Sequence, residues 1–296
     1  MYFEYLIIIV IVILVIRTIK KKYIKYSKIF KINGLDGVYF YFIDKNFKKL
    51  YLSNFIDKKK HLLEKEISKK AKNKILYGPY RGTIIGNKYG WSNIDFSSKY
   101  LGTYESQIQN EIIQLTKKNK FDFIIDLGAA EGYHIISLLK KKYFKKGLAF
   151  EINKKSREIL ERNAKINKVH LKLKIFGEAN SLSLIKSLNN LDQKKLFFLV
   201  DIEGNEYTLF NKQFCKKFSK STFIIEEHPF NIRNNNIIKK FKKNITKHHK
   251  LKILKDTSKD PFNIDILESY SDDEKYLMMS EGRLQSMKWL ILQPKK

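Results

Sequence analysis

Residues 123–132 read FIIDLGAAEG, and this stretch decides the fold. An apolar run ends at Asp126, and a turn of small residues containing Gly128, Ala130 and Gly132 follows it. Apolar residues then recur at helical spacing from Ile135 onward. A buried strand that passes through such a turn into a helix is typical of α/β proteins, in which ligands bind beyond the carboxyl ends of parallel strands.

The spacing of the turn separates it from a dinucleotide-binding loop. The order is acid, x, Gly, x, Ala, x, Gly, whereas the dinucleotide fingerprint is G-x-G-x-x-G. An acid two residues before the first glycine suits a cationic cofactor, or one that carries hydroxyls or amines, better than a pyrophosphate.

Strands and helices alternate outward from this turn, beginning near Tyr77. This alternation predicts an α/β domain with a parallel sheet. The predicted strands cover 121–126, 148–150, 171–176, 196–200, 222–225 and 287–292. The segment 231–250 is rich in lysine and asparagine, and we interpret it as a polar insertion with a solvated surface that could cover an acceptor pocket.

Acidic residues stand at the ends of five successive predicted strands, so the parallel arrangement brings them to one edge of the sheet. They are Asp126, Glu151, Glu178, Asp201 and the pair Glu226 and Glu227, which His228 follows. A carboxylate at Glu151, 23 residues after Gly128, is placed to accept both hydroxyls of a ribose. The next acid, Glu178, is placed to meet an adenine edge.

At this point the sequence resembles a known family, the FkbM-type class I S-adenosylmethionine-dependent methyltransferases. The resemblance covers about residue 77 to the carboxyl terminus. The stretches that carry it are FIIDLGAAEGYH (123–134), AFEIN (149–153), LVDIEGNE (199–206), IIEEHPF (224–230) and RLQSMKWLIL (283–292), with GPYRGTIIG…LGTYE (78–105) as a lead-in. The sequence departs from the general pattern at Ala130, where methyltransferase loops carry a glycine.

The resemblance implies a Rossmann-like fold with a mostly parallel seven-stranded sheet flanked by helices. It implies that S-adenosylmethionine is the cofactor, held by residues of the first three strand ends. Those residues are Asp126, Gly128, Ala130, Glu131, Gly132, Glu151 and Glu178. It further implies O-methylation, with catalytic residues among Asp201, Glu203 and His228.

Methyl transfer is an SN2 attack on a sulfonium methyl, and it depends mainly on alignment in a dry pocket. If the acceptor is a hydroxyl, Asp201 or His228 is best placed to take its proton. A divalent ion shared by Asp201 and Glu227 is a weaker alternative, and we assign no metal ligands. The plainer interpretations are close packing for the glycines, capping of the next helix for Glu206, and a purely structural His228.

The composition excludes some classes and leaves the meaning of the charge open. The 296 residues contain 59 lysines and arginines against 30 acids, a formal charge of +29, and a single cysteine excludes an intramolecular disulfide. Such a charge suggests nucleic acid or an anionic membrane. However, 53 of the 59 basic residues are lysines, and a biased genome explains that excess equally well.

Residues 6–16 are an uninterrupted run of leucine, isoleucine and valine. Extended over 2–19 as a helix, the segment would be about 27 Å long, close to the thickness of the bilayer core. Six lysines follow between 20 and 31, and the positive-inside rule then places the catalytic domain in the cytoplasm and the short amino terminus outside. The predicted organisation is a single-pass membrane anchor over 1–19, a lysine-rich connector over 20–76 and a methyltransferase domain over 77–296. Within the connector we expect a hairpin with strands at 38–43 and 50–55, followed by a helix over 62–71.

Three functions compete on these observations. The leading hypothesis is a membrane-anchored methyltransferase that acts on a hydroxyl of a small molecule, sugar, glycan or lipid-linked acceptor. A nucleic-acid methyltransferase, RNA included, would explain the charge, but arginine is scarce for phosphate contacts, so we do not expect a nucleic-acid partner. The third is a membrane-bound module without catalysis. The oligomeric state stays open.

Overall fold

The structure is a computed structural model that describes residues 52–86, 95–232, 234–283 and 286–295. The chain divides into two compact units, 1–59 and 60–296, and of the first unit only the start of helix α1 (Leu52–Ala71) is described. The predicted membrane segment at 2–19 and the lysines at 20–31 lie outside these residues. Within the described ranges, no helix has the length and apolar character needed to cross a membrane.

Seven described strands form one sheet in the order β3-β2-β1-β4-β5-β7-β6, and β7 runs opposite to the other six, so its pairings with β5 and β6 are antiparallel. This arrangement confirms the predicted Rossmann-like α/β fold with a mostly parallel seven-stranded sheet. The strands are β1 (Phe123–Leu127), β2 (Lys146–Phe150), β3 (Leu173–Phe176), β4 (Leu196–Val200), β5 (Thr222–Glu227), β6 (His249–Lys255) and β7 (Lys288–Pro294).

Helices cover both faces of the sheet, because consecutive strand residues point to opposite sides. Ile124 packs into one apolar cluster together with Ile135, whereas Ile125 packs into a second cluster together with Phe198 and Phe214. The helices after α1 are α2 (Phe96–Leu101), α3 (Ser106–Lys118), α4 (Tyr133–Lys140), α5 (Lys154–Ile166), α6 (Ser181–Ser187), α7 (Glu206–Leu209), α8 (Lys212–Lys217), α9 (Asn235–His248) and α10 (Asp272–Met279).

Two expectations about local structure need correction. The segment 231–250 is not a simple insertion, because α9 fills most of it and leads directly into β6, a strand that the sequence pattern did not indicate. Strand β6 reads HKLKILK and, within the part of the chain that the structure describes, pairs only with β7. Its lysines therefore stand on the sheet edge, where charge discourages edge-to-edge association. The helix expected over 62–71 is confirmed, but α1 also takes up 52–55, where a strand was expected.

The strand order reverses between β1 and β4, and the turn after β1 is fixed to both neighbouring strands at that point. The amide of Gly128 donates to the carbonyl of Phe150, and the amide of Asp201 donates to the carbonyl of Leu127, each over 2.9 Å. A crevice therefore opens at the carboxyl edge of the sheet, which is where ligands bind in open α/β sheets.

Gly128 allows the two strand ends to approach this closely. Its φ of +86° lies in the left-handed region, and a Cβ there would stand 1.7 Å from the carbonyl oxygen of Asp201. We expect Gly128→Ala to lower the free energy of unfolding by about 2–4 kcal/mol, measured by denaturant titration.

Gly177→Ala is the matched control, because it lies at the same sheet edge and a Cβ there meets nothing within 4 Å. We expect it to stay within about 0.5 kcal/mol of the native protein. Equal effects of the two substitutions would contradict the proposed role of the close approach.

Candidate active site

The outer cavity lies beyond the carboxyl ends of β2, β3 and β4 and has a volume of about 420 Å³. Glu151, Glu178, Asp201 and Glu203 all line it, so four of the predicted acidic site residues meet here. Its volume falls in the range that holds small-molecule ligands and cofactors.

Glu151 is held by two backbone amides. Its Oε2 accepts from the amide of Ala130 at 2.9 Å, and its Oε1 accepts from the amide of Asn153 at 2.7 Å. Each carboxylate oxygen keeps a second lone pair for a ligand hydroxyl. The contact of Glu151 with a ribose stays a prediction, whereas its two bonds to backbone amides show that it fixes the conformation of the turn after β1.

The turn itself combines cavity lining with packing. Gly128 and Ala130 line the outer cavity, and Ala130 adopts a left-handed φ of 44°. Gly132 lines neither cavity, and a Cβ there would stand 2.2 Å from Leu160 Cδ1. The packing interpretation therefore fits Gly132, and its contact with the cofactor stays a prediction.

An inner cavity of about 50 Å³ continues behind the turn. Gly128, Ala130 and Asp201 line both cavities, so the two share a wall. The inner cavity is also lined by a set of polar groups, most of them buried, namely Lys99, Tyr104, Glu105, Asp126, Glu131, Tyr133 and His134. The structure thus separates the predicted cofactor residues, with Asp126 and Glu131 inside and Glu151 and Glu178 outside.

Asp126 is a buried carboxyl group, 4% exposed. Burial, together with the negative charges of Glu151 and Glu105, raises its pKa to about 8. A positively charged ligand group in the inner cavity would stabilise its ionised form.

Lys99 supplies the inner cavity with a buried cation. Its Nζ lies 3.0 Å from Asp95 Oδ2 and donates to Glu131 Oε1. Burial lowers the pKa of Lys99, but the charges of Asp95 and Glu131 outweigh that effect and raise it above its ordinary value. Lys99 therefore stays protonated, and Glu131, which we predicted as a cofactor residue, is engaged by it.

Three predicted catalytic residues come together at the ends of β4 and β5. His228 Nε2 lies 3.5 Å from Asp201 Oδ1 and 3.6 Å from Glu203 Oε2. We call Asp201, Glu203 and His228 the Asp201 cluster. The His228 side chain is 3% exposed, whereas those of Asp201 and Glu203 are 34% and 54% exposed. The cluster thus has a buried base and a face open to the outer cavity.

Glu206 holds His228 from behind. Its Oε1 accepts from the backbone amide of His228 at 2.9 Å and lies 3.3 Å from the ring Nδ1, and its Oε2 accepts from Gly204. Burial lowers the pKa of His228, but the bond to Glu206 and the charge of Glu226 more than offset this, so the pKa is raised. Glu206 thus does more than favour the start of α7.

The hypothesis of an ion shared by Asp201 and Glu227 is wrong. Consecutive residues of a strand face opposite sides, and Glu227 Oε1 lies 3.1 Å from Lys242 Nζ on α9. Glu226 faces the cluster instead, with its Oε2 3.8 Å from His228 Nε2.

Arg283 joins three acids that come from distant parts of the chain. Its guanidinium pairs with Glu105 and Glu226, and its Nε lies 2.8 Å from Glu281 Oε2. Burial alone would raise the pKa of Glu105, but a hydrogen bond from His134 and the charges of His134 and Arg283 lower it to about 2. The carboxyl-terminal segment is thereby tied to the wall of the inner cavity.

Sequence reasoning assigned no role to Lys99, Glu105, His134 or Arg283. The last three lie in stretches that carried the family resemblance, which was a usable signal. Lys99 is one of 53 lysines and gave no signal of its own.

Comparison with known proteins bears on the fold alone. The chain matches no family model and no curated protein. Similar solved structures include an O-methyltransferase from Bacillus cereus in complex with SAH (TM-score 0.44, 11% identity, 64% of this chain and 81% of that one). Another is the precorrin-6y C5,15-methyltransferase from Geobacter metallireducens (TM-score 0.43, 8% identity, 72% of this chain and 97% of that one). A third is M. capricolum TrmK with S-adenosyl-homocysteine (TM-score 0.39, 17% identity, 63% of this chain and 68% of that one). The fold assignment rests on the strand order, and the FkbM subtype stays a prediction.

We expect Arg283→Met to lower the free energy of unfolding by about 3–5 kcal/mol, because it leaves buried carboxylates without their cation. The loss should be full above about pH 5 and should shrink as the pH falls towards 2. The pKa of Glu105 is lowered from 4.5 to about 2 in the native protein, so the stabilisation to which Arg283 contributes is present above pH 5 and disappears as Glu105 is protonated.

Arg157→Met is the control, because Arg157 donates to the carbonyls of Glu151 and Ile152, which do not titrate. Its cost, measured by the same urea titrations, should not change with pH. A pH-independent loss in Arg283→Met would count against the role of Glu105.

Proposed function

We propose that the protein is an S-adenosylmethionine-dependent methyltransferase. The observation that carries the proposal is the inner cavity, where the buried Asp126 lies behind a turn that opens onto a cofactor-sized outer cavity. S-adenosylmethionine carries positive charge on its sulfonium and its amine, and such charge is favoured beside buried carboxylates. A pyrophosphate at the same place would meet repulsion.

The two cavities match the two halves of this cofactor. We assign its nucleoside to the outer cavity, with the ribose hydroxyls at Glu151 and the adenine near Glu178. We assign its methionine part to the inner cavity, with the amine at Asp126 and the carboxylate at Lys99. The sulfonium then falls between them, where Gly128, Ala130 and Asp201 form the shared wall.

The chain's own residues supply orientation and proton transfer. The acceptor oxygen attacks the methyl carbon as the carbon–sulfur bond breaks, and the enzyme's main contribution is to hold the reacting atoms in line. Asp201 lies at the shared wall, with His228 Nε2 3.5 Å away. A hydroxyl acceptor that reaches Asp201 would lose its proton to this pair. We therefore assign Asp201 and His228 as proton acceptors and Glu203 to the mouth of the site.

The first test is binding of S-adenosylmethionine, measured by calorimetry on the native chain and on Asp126→Asn. Loss of one charge-assisted contact to the amine should weaken binding about ten- to a hundred-fold. Because Asp126 has a pKa of about 8, protonation competes with the ligand below that pH. Affinity should rise about ten-fold per unit between about pH 6 and pH 8, and the variant should lose this dependence.

Adenosine is the control ligand, because it occupies only the outer cavity and should bind both proteins equally. The other titratable groups that surround Asp126 are Lys99, Tyr104, Glu105, Glu131, Tyr133, His134, Glu151 and Asp201. If the affinity of Asp126→Asn for S-adenosylmethionine still depended on pH, one of these groups, and not Asp126, would be the one that titrates. Absence of S-adenosylmethionine binding to the folded native chain would refute the proposed function.

We further propose that the acceptor is a hydroxyl of a sugar, glycan or lipid-linked molecule, and that residues 2–19 anchor the chain in a membrane with the catalytic domain in the cytoplasm. The support is the apolar run at 6–16 with its following lysines, together with the proton-accepting pair at the site.

We expect membranes incubated with the full chain and methyl-labelled S-adenosylmethionine to carry the label in their lipid or glycan fraction. The chain itself should stay with the membranes through a carbonate wash, and a chain that lacks residues 1–19 should be released. Label recovered chiefly in RNA, in parallel reactions with total RNA, would instead favour the nucleic-acid alternative.

A further inference from the structure

The helices on the two faces of the sheet differ in charge. Among those that pack on the cluster of Ile124, α3, α5 and α10 each contain acids together with lysines. On the cluster of Ile125, by contrast, α6, α8 and α9 contain lysines and no acid, and the single acid of α7 is the buried Glu206. A biased genome would enrich lysine on both faces, but it would not remove the acids from one of them.

Helix α9 presents four exposed lysines on one side. Lys239 and Lys240 both lie about one turn before Lys243, and Lys247 lies about one turn after it, so the four are neighbours on the helix surface. Of the five lysines on α9, Lys242 alone pairs with an acid among the described residues. The other four therefore leave their charge uncompensated within the described part of the chain.

Helix α8 adds two more lysines to the same surface. It packs beside α9, and Phe214 of α8 and Phe241 of α9 belong to the same buried cluster. The exposed Lys212 and Lys216 of α8 therefore stand on the outer side of the same helical layer. We call these two lysines and the four of α9 the basic face. Charges of one sign that are held together in this way create a potential that attracts an anionic partner.

Exposed apolar side chains adjoin the basic face at the carboxyl edge of the sheet. Leu182 lies in the first turn of α6, Phe230 follows β5 and Ile237 lies in the first turn of α9, with exposed fractions of 66%, 51% and 42%. Lysines beside exposed apolar side chains suit the boundary between lipid headgroups and acyl chains. Nucleic-acid phosphates are often held by arginine forks, and α6, α8 and α9 contain no arginine. The composition of this surface thus favours a membrane over a nucleic acid.

The basic face borders the mouth of the outer cavity. Ser181 and Asn211 line this cavity, and they are the chain neighbours of the exposed Leu182 and Lys212. A membrane that contacts the basic face and the apolar side chains beside it therefore lies next to the opening of the cavity.

We propose that the basic face docks this part of the chain onto an anionic membrane surface, with Leu182, Phe230 and Ile237 entering the headgroup layer. The contact is electrostatic and reversible, unlike the anchor proposed at 2–19, and it brings the mouth of the outer cavity to the lipid. The inference goes beyond the proposed function, because docking does not require S-adenosylmethionine.

The test is lysine footprinting of the full chain, in which mass spectrometry quantifies the acetylation of each lysine. The chain is reconstituted into vesicles of phosphatidylcholine alone and into vesicles that also contain phosphatidylglycerol. In the anionic vesicles at low salt, acetylation of the basic face should fall at least about three-fold, and it should recover in about 1 M salt. Four exposed lysines of the opposite face should react equally in both kinds of vesicle. These control lysines are Lys117, Lys118, Lys141 and Lys165.

A charge variant tests whether α9 causes the docking, with Lys212 and Lys216 of α8 as reporters. The variant replaces the four exposed lysines of α9 with glutamine, and the two reporters should then lose their protection in anionic vesicles. The matched variant replaces the four control lysines with glutamine, which removes the same charge from the opposite face, and the reporters should stay protected. All the replaced side chains are exposed, so we expect both variants to fold, which urea titration verifies.

Three results would overturn the proposal. The first is equal acetylation of the basic face in neutral and anionic vesicles, and the second is equal protection of the control lysines. The third is protection of the basic face by total RNA at physiological salt without protection by vesicles, which would assign this face to nucleic acid. None of them bears on the proposed function, because the samples contain no S-adenosylmethionine and the anchor at 2–19 is present in both kinds of vesicle.

Discussion

The contact between the turn after β1 and the end of β4 is the constraint on which the site depends. With Gly128 against the carbonyl of Asp201, the ends of the two strands lie side by side at the point where the strand order reverses. The same turn sends the amide of Ala130 to Glu151 on the other side. One short segment therefore fixes the positions of acids from three strands, and both cavities are formed around it.

Charge is distributed unevenly in this molecule. The chain carries a formal +29, yet the described site gathers Asp126, Asp201, Glu105 and Glu226 with few compensating cations. Two cations lie at this site, the buried Lys99 and the partly exposed Arg283, and each is shared between several acids. Lys99 lies between two carboxylates, and Arg283 pairs with three. A cationic ligand would offset the negative charge that remains at the site. A basic protein can therefore have a site suited to positive charge.

Much of this arrangement could be predicted from the sequence because it depends on local patterns. The apolar runs of β1 and β4 are buried on both faces, so their residues gave an unbroken hydrophobic signal. Strand β6 could not be found in this way, because lysine alternates with apolar residues at its exposed edge. His249 was expected in solvent but is buried, with Nε2 3.1 Å from the carbonyl oxygen of Ser221, a contact set by tertiary packing alone.

The charged site residues that the sequence did not reveal show the same limit of prediction from local patterns. Whether Glu226 or Glu227 faces the site depends on the register of β5, and the sequence shows two adjacent acids without saying which side each takes. Arg283 did leave a signal, because it is one of only six arginines in a chain that otherwise uses lysine. A planar guanidinium can pair with several carboxylates at once, which an ammonium does less well, so a rare arginine in such a chain indicates a specific contact.

Asp201 links the two halves of the proposed reaction. It lines the outer cavity, the inner cavity and the cluster with Glu203 and His228, and its backbone is the part of β4 that Gly128 contacts. A displacement of the turn would therefore move the cofactor walls and the acceptor side together. Because alignment of donor and acceptor is the main requirement of methyl transfer, this shared residue lets the fold itself set the geometry of the reaction.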